Sequence, residues 1–125
     1  MNTPDSDTDR RHFSRIPFDA AVRVVGTAGT WDSQLIDLSL NGALITRPGD
    51  WRGERGERCT LFMSLGGDID IRMEAVVAHA DAQRVGLQCV HIDLDSITHL
   101  RRLLELNLGD SRLLDRELAA LGHDV

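Results

Sequence analysis

Two short polar clusters contain the residues of this 125-residue sequence whose types and spacing could bind a ligand. The first cluster is Arg10-Arg11-His12-Phe13-Ser14-Arg15. The second cluster is Asp37-Leu38-Ser39-Leu40-Asn41-Gly42. Arginine presents a rigid fork of N–H donors that suits phosphate groups and base edges, and Asp and Ser add hydrogen-bonding groups. We therefore interpret the two clusters as candidate ligand-binding residues.

Catalysis and metal binding are both disfavoured. Ser39 and Asp37 lack the G-x-S-x-G context of a hydrolase nucleophile. The sequence has five histidines, His12, His79, His91, His99 and His123. Their spacing does not match a metal-binding pattern such as H-E-x-x-H. Cys59 and Cys89 are not spaced as C-x-x-C. Two such cysteines are typically reduced and behave as small apolar side chains. We predict neither an enzyme, nor a metal site, nor a bound cofactor.

The elements that must position these clusters are predicted by hydrophobic periodicity. A period of two predicts strands at 18–25, 31–40, 43–46, 59–65, 69–77 and 85–89. Because no helix separates them, we expect a mainly β fold, a six-stranded antiparallel barrel. Alternation along the second strand predicts that Asp37 and Ser39 point outward, opposite Ile36, Leu38 and Leu40. Asn41-Gly42 is a tight-turn signal.

The period becomes helical after the last predicted strand. Asp93 or Asp95 can cap a first helix that ends near Gly109, and a second helix begins at Asp110 or Ser111 and ends at Gly122. We expect the first helix to pack on the barrel. The second has less barrel left to cover, which leaves it for a partner or a dimer. We predict a disordered polar tail at 1–9, a domain at 10–108 and the second helix at 109–125.

One loop, at 47–57, is rich in glycine and charge. Its arginines alternate with acids, so we interpret it as solvated. Trp51 within it is either a plug of the core or an exposed protein-docking residue, and the plug is the favoured interpretation.

The two clusters together resemble the signature of the PilZ domain, a bacterial receptor for cyclic di-GMP. Residues 11–15 match R-x-x-x-R, and residues 37–42 match [D/N]-x-S-x-x-G. The segment 84–88 is similar to a later strand of the family, and the resemblance covers residues 10–108. It is similar in particular to small stand-alone PilZ proteins whose last strand continues into a helix. The six-stranded barrel of that family agrees with the fold predicted from periodicity.

The resemblance implies that the ligand is cyclic di-GMP and that the clusters bind it. Arginine can bind both the phosphates and the guanine edges of this ligand. Gly42 would leave room for a guanine ring. The predicted ligand-binding residues are Arg10, Arg11, Arg15, Asp37, Ser39, Asn41, Gly42 and His79. For His79 two interpretations stay open, a hydrogen-bonded histidine at the barrel rim, in phase with Met73, Ala75 and Val77, or a ring that stacks on guanine.

Charge and hydropathy restrict the partners. The net charge of −6 argues against a general DNA or RNA binder. The chain has no apolar run long enough to span a membrane and begins with a polar segment, so we expect a cytoplasmic protein. The resemblance implies an adaptor that changes conformation and signals to a motility, chemotaxis or exopolysaccharide protein. We expect a monomer rather than a dimer. Two alternatives stay open, an interaction module that does not bind nucleotide, and one or two cyclic di-GMP molecules per site.

Overall fold

A computed structural model of the chain describes residues 13–66 and 69–124. It contains seven strands, β1 (Ile16–Pro17), β2 (Ala21–Gly26), β3 (Gly29–Ser39), β4 (Gly42–Thr46), β5 (Arg58–Ser64), β6 (Asp70–Ala80) and β7 (Arg84–Ile92). Two helices follow, α1 (Leu94–Leu108) and α2 (Ser111–Asp124). The second helix thus continues past the predicted end at Gly122. The tail predicted at 1–9 lies outside the described residues.

Six of the strands close into an antiparallel barrel. The hydrogen-bonded order is β2-β5-β6-β7-β4, and β3 closes the ring because it pairs with both β2 and β4. β1 pairs with the end of β3, where Ile16 lies opposite Leu38. The predicted six-stranded antiparallel barrel with C-terminal helices is confirmed, and β1 is an addition to it.

The barrel interior is filled by the side chains on one face of each strand. Val24, Leu61, Met73 and other aliphatic side chains are fully buried there. Trp51 is 7% exposed, and its ring centroid lies 4.5 Å from that of Trp31. Trp51 is therefore a plug of the core.

A bulge in β3 changes the predicted faces of that strand. Its pairing with β4 shifts by one residue between Leu35 and Asp37. Leu35 and Leu38 are both buried, whereas Ile36 is only half-buried. The predicted inward set of Ile36, Leu38 and Leu40 is wrong at Ile36, because a bulge breaks the strict alternation of side chains.

The helices begin and end where their capping residues require. The Asp93 carboxylate accepts a hydrogen bond from the backbone N–H of Ser96 at 3.0 Å, and this bond lowers the pKa of Asp93. Gly109 ends α1 with a left-handed backbone, at φ 73°. Leu100 and Leu104 are completely buried, so α1 packs on the barrel as predicted.

The second helix also packs on the chain's own core. Leu114 is completely buried, and Leu118 and Leu121 are partly buried against the core. The inner face of α2 is therefore occupied, and the prediction that left this helix for a partner or a dimer is wrong for that face. Neither described helix combines the length and hydropathy of a membrane span.

Candidate ligand-binding site

An open groove of about 1280 Å³ crosses the outside of the barrel over β4, β7 and β6. Strand register sets its floor: Gly86 of β7 lies between Leu44 of β4 and His79 of β6. The polar and aromatic side chains that line the groove are Phe13, Arg15, Asp37, Asn41, Arg55, His79, Arg84 and Gln88. Its volume exceeds the roughly 300–1,000 Å³ of common small-molecule pockets, so it can accept a ligand larger than a mononucleotide.

The two predicted clusters meet at one edge of this groove. Pro17 of β1 pairs with Asp37 of β3, which brings the residue two positions earlier, Arg15, beside the Asp37 carboxylate. The Arg15 guanidinium donates a hydrogen bond from Nη1 to Asp37 Oδ1 at 2.8 Å. The Arg15 side chain is 45% exposed, and this hydrogen bond engages one of its five N–H donors. Arg10 and Arg11 lie outside the described residues.

Ser39 is buried and does not line the groove, contrary to the prediction that it points outward. It is 1% exposed. Its hydroxyl donates to Asn41 Oδ1 at 2.8 Å and lies 3.4 Å from the carbonyl oxygen of Gly42. The position after the bulge is covered by the β3–β4 turn, which simple alternation could not predict. Ser39 therefore orients Asn41, which does line the groove.

Gly42 is required by the contact between two strands, which is a different reason from the predicted one. It is the first residue of β4 and pairs with Gln88 of β7, while Leu40 and Asn41 form the turn. A Cβ added at Gly42 would lie 2.3 Å from the carbonyl oxygen of Leu87. The turn is also fixed to β7, since the Cys89 N–H donates to the Asn41 carbonyl at 2.7 Å. Gly42 thus permits close approach of backbone, and the predicted tight turn lies one residue earlier.

His79 faces the groove because of a second bulge. The pairing of β6 with β7 shifts between Val77 and His79. Val77 is therefore buried in the barrel, whereas His79 is exposed at the groove. The prediction from alternation, which placed His79 on the same face as Met73, is wrong at this position. Its ring lies over Gly86, where an added Cβ would lie 2.5 Å from His79 Cε1. The exposed position does not fit a partly buried histidine at the barrel rim, and stacking on guanine stays a prediction.

Three polar groove residues were absent from the predicted set. Arg84 is the first residue of β7, and Gln88 lies in the middle of that strand. Arg55 lies in the loop that is predicted to be solvated. Segment 84–88 was recognised only as a strand resembling the family. Arg55 is exposed, as expected, but the Gly56 N–H donates to the Val77 carbonyl at 2.8 Å and fixes this loop beside β6. That contact joins distant parts of the chain, so no local signal could indicate it.

The groove is locally basic in an acidic protein. Its three arginines, Arg15, Arg55 and Arg84, outnumber its single carboxylate, Asp37. Asp81 beside it is engaged in a turn, because its carboxylate accepts from the N–H groups of Gln83 and Arg84, both at 2.8 Å. Those bonds lower the pKa of Asp81. The arrangement suits an anionic ligand with hydrogen-bonding rings, since local charge decides the contact.

Both cysteines are free thiols, and neither side chain lines the groove. Burial raises the pKa of both Cys59 and Cys89 to about 11, so both are protonated at neutral pH. Among residues 13–66 and 69–124, no three His, Cys, Asp or Glu side chains are grouped to hold a metal ion.

Comparison with known proteins agrees with the architecture. The family model described as the PilZ domain matches residues 9–106. The inhibitor of motility MotI/DgrA of Bacillus subtilis is similar with a TM-score of 0.66 and 19% identity, over 81% of this chain and 52% of that one. The PilZ domain of CeSA from a cellulose-synthesizing bacterium gives 0.62 and 20%, over 78% and 99%. The PilZ domain of Escherichia coli YcgR, solved with c-di-GMP, gives 0.60 and 17%, over 93% and 99%.

Proposed function

The chain belongs to the PilZ domain family, and from that premise we propose that it is a receptor for cyclic di-GMP. The observation that carries the proposal is that five of the predicted ligand residues line one groove. They are Arg15, Asp37, Asn41, Gly42 and His79. They come from three separate parts of the sequence, so their convergence needs an explanation beyond local packing.

The chemistry of the groove matches the two halves of this ligand. Cyclic di-GMP has two phosphates and two guanines. Arg15, Arg55 and Arg84 supply guanidinium groups that can bind phosphate oxygens or the O6/N7 edge of guanine with two parallel hydrogen bonds. The His79 ring is exposed at the groove and offers a flat face on which a base can stack. Asp37 and Asn41 can accept from the N–H groups of guanine.

Ser39 acts in this proposal through Asn41. Its hydroxyl holds the Asn41 side chain oxygen, so a buried serine fixes a residue that contacts the ligand. This role explains why a serine would be required in the motif although its side chain is not exposed.

We test the receptor proposal by calorimetric titration with cyclic di-GMP, using GTP and cyclic AMP as control nucleotides. We expect saturable binding of cyclic di-GMP alone, and the stoichiometry distinguishes one bound molecule from a stacked pair. Absence of saturable binding by the folded protein would overturn the proposal and leave an interaction module that does not bind nucleotide.

The second part of the proposal is an adaptor role. The ligand would change the surface of this chain, and a protein of a motility, chemotaxis or exopolysaccharide system would recognise the changed surface. The MotI/DgrA neighbour is described as an inhibitor of motility, which supports a partner of this kind. Affinity capture with and without cyclic di-GMP tests this part, with Arg15→Ala as the matched control. A partner whose capture is independent of both ligand and Arg15 would contradict ligand-controlled signalling.

A further inference from the structure

A buried carboxylate on α2 holds the chain segment that carries Arg15. Glu117 is 3% exposed. Its Oε2 accepts two hydrogen bonds from Ser14, one from the backbone N–H at 3.0 Å and one from the hydroxyl at 2.6 Å. These residues are 103 positions apart, so the contact joins the last helix to the segment before the first strand.

Ser14 lies between two residues of the groove. Phe13 is 7% exposed and Arg15 pairs with Asp37 across the groove edge. Both line the groove. Because adjacent Cα atoms are 3.8 Å apart, fixing the Ser14 amide restricts where the Arg15 guanidinium can reach.

Burial of the Glu117 carboxylate opposes its contact with Ser14, so this contact is sensitive to substitution. A buried carboxylate is unfavourable unless both oxygens are hydrogen-bonded, and Glu117 Oε1 is buried with no hydrogen-bond partner among the described residues. Leu114 on the same helix is completely buried, and Arg101 of α1 forms an ion pair with Asp115 of α2. Docking of α2 therefore combines favourable apolar and ionic contacts with one buried carboxylate oxygen that has no hydrogen-bond partner in the described part of the chain.

We propose that Glu117 is a positioning residue for the ligand groove, and that docking of α2 and binding of the nucleotide stabilise each other. The proposal rests on the proposed receptor function and adds its regulation. With α2 docked, Ser14 is held and Arg15 is placed before the ligand arrives, so less order has to be gained on binding. By linkage, the ligand then strengthens α2 docking by the same factor, and a protein that pulls α2 away weakens ligand binding.

The first experiment needs no ligand. Amide hydrogen exchange of Ser14 reports the bond to Glu117 directly. We expect Glu117→Ala to increase exchange at Ser14 and along α2, and Glu117→Gln to have a smaller effect because it keeps an oxygen acceptor. Unchanged Ser14 exchange in Glu117→Ala would overturn the anchoring of this segment, whatever the protein binds.

The second experiment measures affinity for cyclic di-GMP. We expect Glu117→Ala to raise the Kd about tenfold, Glu117→Gln less, and the control Asp95→Ala, which removes an exposed acid from α1, not at all. In an Arg15→Ala background, Glu117→Ala should have no further effect, since the two residues act in series. Equal effects in both backgrounds would mean that Glu117 does not act through Arg15.

Ser14→Ala is a milder variant for the case in which Glu117→Ala does not fold. The outcomes also distinguish failure of the receptor proposal from failure of the coupling proposal. If Glu117→Ala fails to fold, Ser14→Ala removes one of the two bonds from the other side and should produce the same changes at smaller size. If the wild type does not bind cyclic di-GMP, the receptor proposal fails while Ser14 exchange still decides the anchoring. If the wild type binds and neither Glu117→Gln nor Ser14→Ala alters affinity or α2 exchange, the coupling is wrong.

Discussion

Arg15 donates a hydrogen bond to Asp37 at 2.8 Å, which joins the two sequence clusters in one ion pair at the edge of the groove. The side chains are 45% and 22% exposed. Ion pairs this exposed contribute about 1 kcal/mol or less to stability. The pair is thus strong enough to orient Arg15 and weak enough for a ligand phosphate to take over one of its donors.

Replacing Arg15 by alanine should weaken cyclic di-GMP binding by about 2 kcal/mol, a factor of about 30, with little change in stability. The reason is that a charge-assisted contact is lost while no core side chain is removed. Calorimetric titration measures the affinity. Arg23→Ala is the matched control, because Arg23 also pairs with an aspartate, Asp32, at 2.9 Å but does not line the groove. Similar losses in both variants would indicate diffuse electrostatic attraction.

Replacing Ser39 by alanine should lower the free energy of unfolding by about 1 kcal/mol, because a buried hydroxyl and its bond to Asn41 are lost. It should also weaken binding, since Asn41 loses its orientation. Urea unfolding and titration measure the two effects. Ser64→Ala, at an exposed position of β5, should change neither. Unchanged stability of Ser39→Ala would support the outward orientation predicted from alternation.

Replacing Gly42 by alanine should mainly lower stability, whereas replacing Gly86 by alanine should mainly lower the affinity for the ligand. At Gly42 the added carbon meets the backbone oxygen of Leu87, which cannot turn away, so we expect a loss of about 2 kcal/mol or more in stability. At Gly86 it meets the ring of His79, an exposed side chain that can rotate away. Gly86→Ala should therefore weaken ligand binding with a smaller loss of stability. Thermal unfolding and titration of both variants measure this contrast, and equal stability losses would contradict it.

The protein should lose stability as the pH rises from about 9 to 11, the interval between the pKa of its two thiols in the unfolded chain and in the folded protein. The pKa of each is raised by burial from 9.0 to about 11, so the unfolded chain releases these protons first and rising pH favours unfolding. We expect a loss of about 1 kcal/mol per thiol at pH 10. The sequence contains no lysine or tyrosine, and arginine stays charged, so no other side chain titrates in this window.

Urea unfolding at several pH values measures the thiol effect. The control is the double variant Cys59→Ala, Cys89→Ala, whose stability should be nearly flat over the same range. A parallel decline in the double variant would show that the thiols are not its source.

Much of the fold was predictable because it depends on local patterns. Alternating apolar residues indicated the six barrel strands, and Asp93 and Gly109 indicated the limits of α1. Capping and alternation act over a few residues, so the sequence alone carries them. Residue type and spacing likewise indicate Arg15 and Asp37 as motif residues.

The face on which key residues lie was decided by the tertiary structure. A one-residue bulge in β3 leaves Leu35 buried in place of Ile36, and a bulge in β6 leaves His79 exposed at the groove. A bulge forms in response to the neighbouring strand. Gly42 is explained only by the carbonyl of Leu87 on another strand. The bond from Ser14 to Glu117 spans nearly the whole chain. Sequence determined which groups are available, and long-range packing determined which of them meet, because contacts between distant segments leave no local pattern.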